Sequence, residues 1–249
     1  MRNISVEAFN GKIAGERPLE IVERKGLGHP DSICDSIMEK VSVNLCTEYL
    51  QKFGAIMHHN VDKGLLIAGS VQGKFGGGNI TSPMRLVFGD RATFRLEDIE
   101  VAVEDIAINT AKEWLRTNLR YVNPEDLIYQ VELKPGSAEL TDIFKRKGEV
   151  VVSNDTSAAV GYAPMSFTEK MVLNLEKHLN SPSFKRENPV SGEDVKIMAV
   201  RKGKDLQLTV AMPLIDYFVE SEKDYFLIKG ELFNCIQEYV ADYVEQYEP

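Results

Sequence analysis

From Pro30 to about Phe53 the apolar residues Ile33, Ile37, Val41 and Leu45 recur at every fourth position, with Cys34 and Met38 beside them. A stripe of that spacing is the buried face of an amphipathic helix, and Gly54 predicts its end. The stretch AIMHHNVDKGLLIAGSVQ is rich in β-formers and broken by glycine, which predicts two strands around a turn near Asp62-Lys63-Gly64. FGGGNITSP reads as a flexible loop and PMRLVFGDRATF as a strand. LEDIEVAVEDIAINTAKEWLRTNL predicts a second helix, with Ile99, Val103, Ile106 and Thr110 on one face, and Asn123-Pro124 breaks the chain after it.

LIYQVEL predicts a strand, KPGSAEL a turn because Pro135 lacks a donor, and EVVVSND a further strand. A third helix is expected from about Phe167 to Leu179. NSPSFKRENPVSG, rich in Pro, Ser and Asn, reads as a linker. DVKIMAVRKGKDLQLTVAM is a hairpin pattern around Lys202-Gly203-Lys204, and SEKDYFLIKGELFNCIQEYVADYVEQY a long amphipathic helix. Strands and helices do not alternate one for one, so the order favours an α+β fold over a doubly wound parallel sheet. The finish on a helix, with no final strand to pack it, suggests an incomplete chain.

Composition narrows the function. The 249 residues carry 29 basic against 38 acidic side chains, a net charge of −9, which excludes a dedicated nucleic-acid binder. With 43% apolar residues a real core can be buried, and no stretch approaches the roughly 18 uninterrupted apolar residues of a membrane helix. The first residues lack the apolar core of a signal peptide, so a cytoplasmic protein is expected, without a membrane partner. Cys34, Cys46 and Cys235 form no Cys-x-x-Cys pair and read as small buried hydrophobes. The basic pieces FKRKG, FKREN and VRKGK lie among acids and read as solvated hairpin tips.

The most informative string is ERKGLGHPDSICD. Gly26 and Gly28 permit close backbone approach, Pro30 suits a first helical position, and the free N–H groups of the first turn make an anion site. Asp31 and Asp35 lie one turn apart, near Lys25 and His29. A cation, a donor and carboxylates at a helix start suit a magnesium-bound polyphosphate. The same residues equally suit a structural role, with His29 capping the helix and Asp31 favouring its dipole. His58 and His59 are adjacent and point to opposite faces of a strand, so they do not share a metal; one is free to face a cleft. Gly76-Gly77-Gly78 lacks the Lys-Ser/Thr ending of a phosphate-binding P-loop. KPGSAEL and SNDTSAAVGYAPMS place small residues at strand ends, where donors converge on a ligand or simply form a turn.

Taken together, GLGHPDSICD, HHNVDKGLLIAG, FGGG with the following GDRAT, KPGSAEL, NDTSAAVGYAPMSFTE and GEDVKIMAVRKGK with LTVAMPLIDYFVES resemble the archaeal-type S-adenosylmethionine synthetases, in that family's order, from about Glu23 to about Tyr225. The resemblance implies repeated, intertwined α+β units, a homodimer of facing sheets, ATP and L-methionine as substrates, and magnesium as cofactor with potassium as a second candidate cation. It implies adenosyl transfer from ATP to methionine, followed by release of phosphate and pyrophosphate. By motif position, His29, Asp31 and Lys196 are the implied catalytic residues, with Asp31 also the metal ligand. Lys63 and the loop Lys134, Pro135, Gly136, Ser137, Ala138 and Glu139 are the implied ATP contacts, and Asp155 the methionine contact. In that loop the family's Gly-x-Gly-Ser-x-Asp is altered, Pro135 replacing a glycine and Glu139 an aspartate.

Two of the family's three units are expected: residues 1–125 carrying the GHPD helix, and 126–249. The third unit, with its Gly/Asp/Arg-rich stretch, is expected to be missing from this sequence. A truncated, non-catalytic ATP-binding or dimerisation module of the same family is therefore the competing expectation. A phosphotransferase is less favoured, because no kinase-type loop or base is present.

Overall fold

The computed structural model describes residues 4–8, 10–136, 158 and 160–247. Helices and strands share two hydrophobic cores, each beside a three-stranded sheet. The α+β class is as expected.

The first core lies under β2 (Asn60–Ile67), β5 (Arg85–Ala92) and β8 (Ile128–Pro135), in the order β2-β5-β8. β2 runs antiparallel to β5, and β8 runs parallel to it. A parallel pair needs a crossover, and α2 (Val103–Asn118) supplies it. Beside α2 packs α1 (Pro30–Phe53), whose Ile37, Val41, Leu45 and Tyr49 are wholly buried. Gly54 closes α1 in the left-handed conformation, at φ 70°, as its sequence position predicts.

The second sheet has the order β1-β9-β10, from β1 (Leu19–Lys25), β9 (Lys196–Lys202) and β10 (Asp205–Ala211), all antiparallel. α3 (Phe167–Leu179) packs on β1 and β9, and α5 (Glu222–Tyr247) packs on α3. Ser166 and Glu169 close a reciprocal capping box at the start of α3. The sheets exchange strands: β1 joins partners from the end of the chain, and β8 returns to the sheet built before it.

Several local expectations are corrected. No turn forms at Asp62-Lys63-Gly64; β2 continues through it, and the break falls after Ile67, before β3 (Ser70–Gln72). Gly64 serves packing, since a Cβ there would stand 2.9 Å from Met38 Cγ on α1. Asn79–Ser82 is β4, paired with β3, not loop. LEDIE precedes the second helix as a small ribbon, β6 (Arg95–Leu96) with β7 (Ile99–Glu100), so Ile99 is not on α2. β8 ends on Pro135 itself. The supposed linker holds a short helix, α4 (Pro182–Glu187), capped by Ser181, and its Lys185 is buried, not a solvated tip. The Gly76–Gly78 loop is fastened down: Gly76 N–H donates to Val219 O at 2.8 Å and Gly78 N–H to an Asp216 carboxylate oxygen at 2.7 Å. EVVVSND lies outside the described residues.

Candidate active site

His29 is the N-cap of α1. Its extended backbone, φ −69° and ψ 138°, lets Nδ1 accept the Asp31 N–H at 3.1 Å. An accepting Nδ1 puts the proton of the neutral ring on Nε2, which remains a donor. The cap is real, and it does not consume the imidazole.

The glycines before His29 act differently from the expectation. Gly26 N–H donates to Val195 O at 2.6 Å and Gly28 N–H to Glu193 O at 3.0 Å. A Cβ on Gly28 would stand 2.5 Å from Glu193 C, and one on Gly26 2.7 Å from Val195 O. The close approach is therefore to the chain's own 193–195 segment. Of the first-turn donors, Asp31 N–H is taken by His29 and Ile33 N–H by His29 O, and Pro30 has none. The expected anion site made of free helix amides is largely spent on the fold.

Side chains supply the positive charge instead. Lys25, at the end of β1, pairs across the ladder with Lys196, the first residue of β9, so both side chains leave the same face. Lys25 Nζ lies 2.5 Å from Asp31 Oδ2, and His29 Nδ1 lies 3.9 Å from the same oxygen. Lys196 Nζ is 3.0 Å from Glu23 Oε2. The Lys25 hydrogen bond and its charge hold the Asp31 carboxyl below its ordinary range, with smaller help from His29 and Lys196. Asp31 stays ionised with its side chain 62% exposed. A cavity of about 500 Å³ opens here, lined among others by Lys25, Asp31, Ser32, Asp35 and Glu169. Carboxylate oxygens open to water are the donor set a magnesium ion takes, and Asp31 with Asp35 provides it. Among the described residues no cluster of three or more His, Cys, Asp and Glu side chains is arranged to hold a metal.

The remaining candidates sit on the other sheet. Lys63, on β2, lies 2.6 Å from Asp62 and 4.0 Å from Asp90, which also accepts from Asn60 Nδ2 at 2.9 Å. Lys134 pairs with Glu132 at 3.0 Å, and Pro135 O accepts from Arg91 at 3.0 Å. Gly136 follows at the end of β8. Among the described residues no hydrogen bond or ion pair joins these groups to His29, Asp31 or Lys196. Ser137, Ala138, Glu139 and Asp155 lie outside the described residues. His59 is a satisfied, half-buried histidine, with Nε2 on Ser42 Oγ at 2.8 Å and Nδ1 on Met57 O at 2.9 Å. The sequence singled out neither Lys185 nor Arg120, which hold the 189–193 loop. Arg120 meets Glu193, 73 residues on, and no local pattern reports such a contact.

Two sheets that exchange strands, with Lys25, Asp31 and Asp35 lining a cavity at the start of α1 and His29 and Lys196 close enough to act on the Asp31 carboxylate, define a protein that concentrates charged groups at one helix start. The family model for S-adenosylmethionine synthetase (AdoMet synthetase) matches residues 2–249. The chain belongs to the S-adenosylmethionine synthetase family. It is 47% identical over 233 residues to the S-adenosylmethionine synthase of Methanocaldococcus jannaschii, covering 90% of this chain and 57% of that protein. To the probable S-adenosylmethionine synthase of Aquifex aeolicus it is 43% identical over 242 residues, 96% of this chain and 60% of that protein. The chain thus spans about three fifths of the length of these curated relatives. A solved structure of an unusual S-adenosylmethionine synthetase from Campylobacter jejuni aligns with a TM-score of 0.47 at 16% identity, over 87% of this chain and 53% of that one.

Proposed function

We propose that the cavity at the start of α1 is the leaving-group end of a methionine adenosyltransferase site. Methionine sulfur attacks C5′ of ATP, the C5′–O bond breaks, and the electron pair leaves with the tripolyphosphate, which is then hydrolysed to phosphate and pyrophosphate. A neutral thioether needs no general base. The demand on the protein is stabilisation of charge on the departing oxygens, together with orientation of the two reactants.

The observation that carries the reading is the meeting of two distant chain segments, Lys25 to Asp31 and Lys196, whose Lys25, His29 and Lys196 all act on the Asp31 carboxylate. Lys25 and Lys196 hold the phosphate oxygens by charge, and His29 Nε2–H donates to them. Asp31, helped by Asp35, would hold magnesium, which when bound neutralises phosphate charge. The described residues single out no potassium site. Lys63 and the 134–139 loop, on the other sheet, would bind the nucleotide, and Asp155 would face methionine.

The two groups of residues are brought together in a homodimer through the open sheet faces, where Ile21, Leu65 and Ile67 are exposed. Light scattering checks this, and a stable monomer of 28.0 kDa would overturn it. No helix among the described residues is long and apolar enough to cross a membrane. With ATP and methionine as its substrates, the protein is proposed to work in the cytoplasm.

The test incubates the protein with ATP, methionine and magnesium, with and without potassium, and assays S-adenosylmethionine, phosphate and pyrophosphate. Product with all three components supports the reading. Its absence from a protein that includes any natural continuation of the chain would sink the reading, and ATP binding without turnover would favour the non-catalytic module.

A further inference from the structure

Two cations that the reaction does not use hold the 189–193 loop. Lys185 is only 6% exposed. Its Nζ donates to Gly192 O at 2.7 Å, to Ser191 Oγ at 3.2 Å and to Ser191 O at 3.3 Å. Ser191, itself fully buried, donates from Oγ to Asn188 O at 2.7 Å. Arg120, just past α2 and therefore from the other half of the fold, reaches the same loop. Its Nε lies 2.5 Å from Glu193 Oε1, its Nη1 donates to Lys185 O and Pro189 O at 3.3 and 3.4 Å, and its Nη2 donates to Ser191 O.

Burying an ammonium on carbonyl and hydroxyl oxygens is costly, and burial indeed pushes Lys185 down to about 8, with Glu193 opposing and Arg120 reinforcing the shift. An apolar side chain would avoid that cost, so the lysine must be judged by what it holds. It holds the carbonyls of Ser191 and Gly192, immediately before the residues whose carbonyls receive the Gly26 and Gly28 amides. Gly28 has no room to adjust independently, because a single added carbon there would meet backbone at 2.5 Å. The next residue is His29.

We propose that Lys185 and Arg120 are positioning residues for His29. They fix the 189–193 loop, so that Glu193 O and Val195 O present a rigid seat for the Gly26 and Gly28 amides, and the seat sets the direction of the imidazole. The catalytic consequence rests on the adenosyltransferase reading above; the mechanical one does not.

Lys185→Met keeps the aliphatic stem and removes the donors. Arg120→Gln, at a side chain 30% exposed, removes the fork from the surface and carries the test if Lys185→Met fails to fold. Amide hydrogen exchange and the chemical shifts of the His29 ring at one fixed pH are followed by NMR in each. Expected is an exchange at Gly26 and Gly28 about tenfold faster or more, with shifted His29 ring resonances, while Leu175 and Ile197 in the second core keep their rates. Turnover should then fall with little change in KM for methionine. Unchanged Gly26 and Gly28 exchange in a folded variant overturns the proposal, as does a uniform rise through the second core, which would mark a merely structural role. Should the wild-type protein make no S-adenosylmethionine while exchange and ring resonances respond as expected in the variants, the positioning stands and the functional reading falls.

Discussion

Gly28→Ala tests the seat directly. The added Cβ would lie 2.5 Å from Glu193 C, 2.7 Å from Asp194 N and 2.7 Å from Glu193 Cβ. Two of the three are backbone atoms, so no flexible side-chain end can swing away. Either the 193–195 segment or the Gly26–His29 loop must move, and the 3.0 Å bond from Gly28 N–H to Glu193 O goes with it. Overpacking costs about 1–3 kcal/mol and the lost hydrogen bond about 0.5–1.5 kcal/mol. The reduced freedom of the unfolded chain returns about 0.4–1 kcal/mol. The net expectation is a loss of about 1–3 kcal/mol, each kcal/mol lowering Tm by about 2–4 °C in a chain of this length. Gly230→Ala is the control: nothing lies within 4 Å of its added carbon in the middle of α5, so it should stabilise by about 0.5–1 kcal/mol. Urea unfolding of both variants decides the matter. If Gly28→Ala is as stable as wild type, or gains as Gly230→Ala does, the seat is not tight and the argument from it fails.

The two roles of His29 separate by substitution: His29→Ala should cost about 0.5–2 kcal/mol of stability through the lost cap as well as about 10²–10³ in turnover, whereas His29→Asn, which restores a cap acceptor, should keep Tm and still lose turnover. Recovery of activity in His29→Asn would show that the ring only caps. Asp31→Asn should raise the magnesium concentration for half-maximal activity while leaving Tm within about 2 °C, because its exposed pair with Lys25 contributes little to stability; an unchanged magnesium dependence would remove Asp31 as the metal ligand. For pH, Lys185 binds its proton less tightly folded, at about 8, than unfolded at 10.5, so the unfolded chain holds more protons between those values and the contribution of this group to stability rises with pH across that window. Denaturant midpoints of wild type and Lys185→Met across pH 7 to 10.5 should therefore diverge upward for wild type, and parallel curves would refute the buried charge.

What the sequence disclosed and what it withheld divides by range. The α1 stripe, the Phe167–Leu179 helix and the Lys202–Lys204 turn are written within a few residues of one another, and each formed where expected. Gly64 misled because a glycine that makes room for Met38 looks the same in sequence as a glycine that turns a chain. The Pro182–Glu187 helix hid in a string of loop-formers, since Ser181 and Pro182 are cap residues as readily as linker residues. Lys185 read as a surface charge, because burial of a lysine depends on acceptors that only the folded 191–192 backbone supplies. In the site, His29 and Asp31 were legible as neighbours, but the meeting of Lys25 with Lys196 exists only through the β1–β9 ladder, across more than 170 residues of chain.

The choice posed by the Gly-His-Pro-Asp string, cap or ligand contact, assumed that one imidazole does one thing. The geometry divides the ring: Nδ1 is spent on the Asp31 amide, which fixes the tautomer of the neutral ring and leaves Nε2–H as its donor. Capping is then what orients the donor, in the way a second partner orients a metal-bound histidine. The same economy applies to the glycines. Because their amides are committed to Glu193 and Val195, an anion at this helix start would meet side-chain charge far more than backbone dipoles. Its affinity should accordingly fall with loss of Lys25 or Lys196 and with added salt, more steeply than at a site built from helix amides alone.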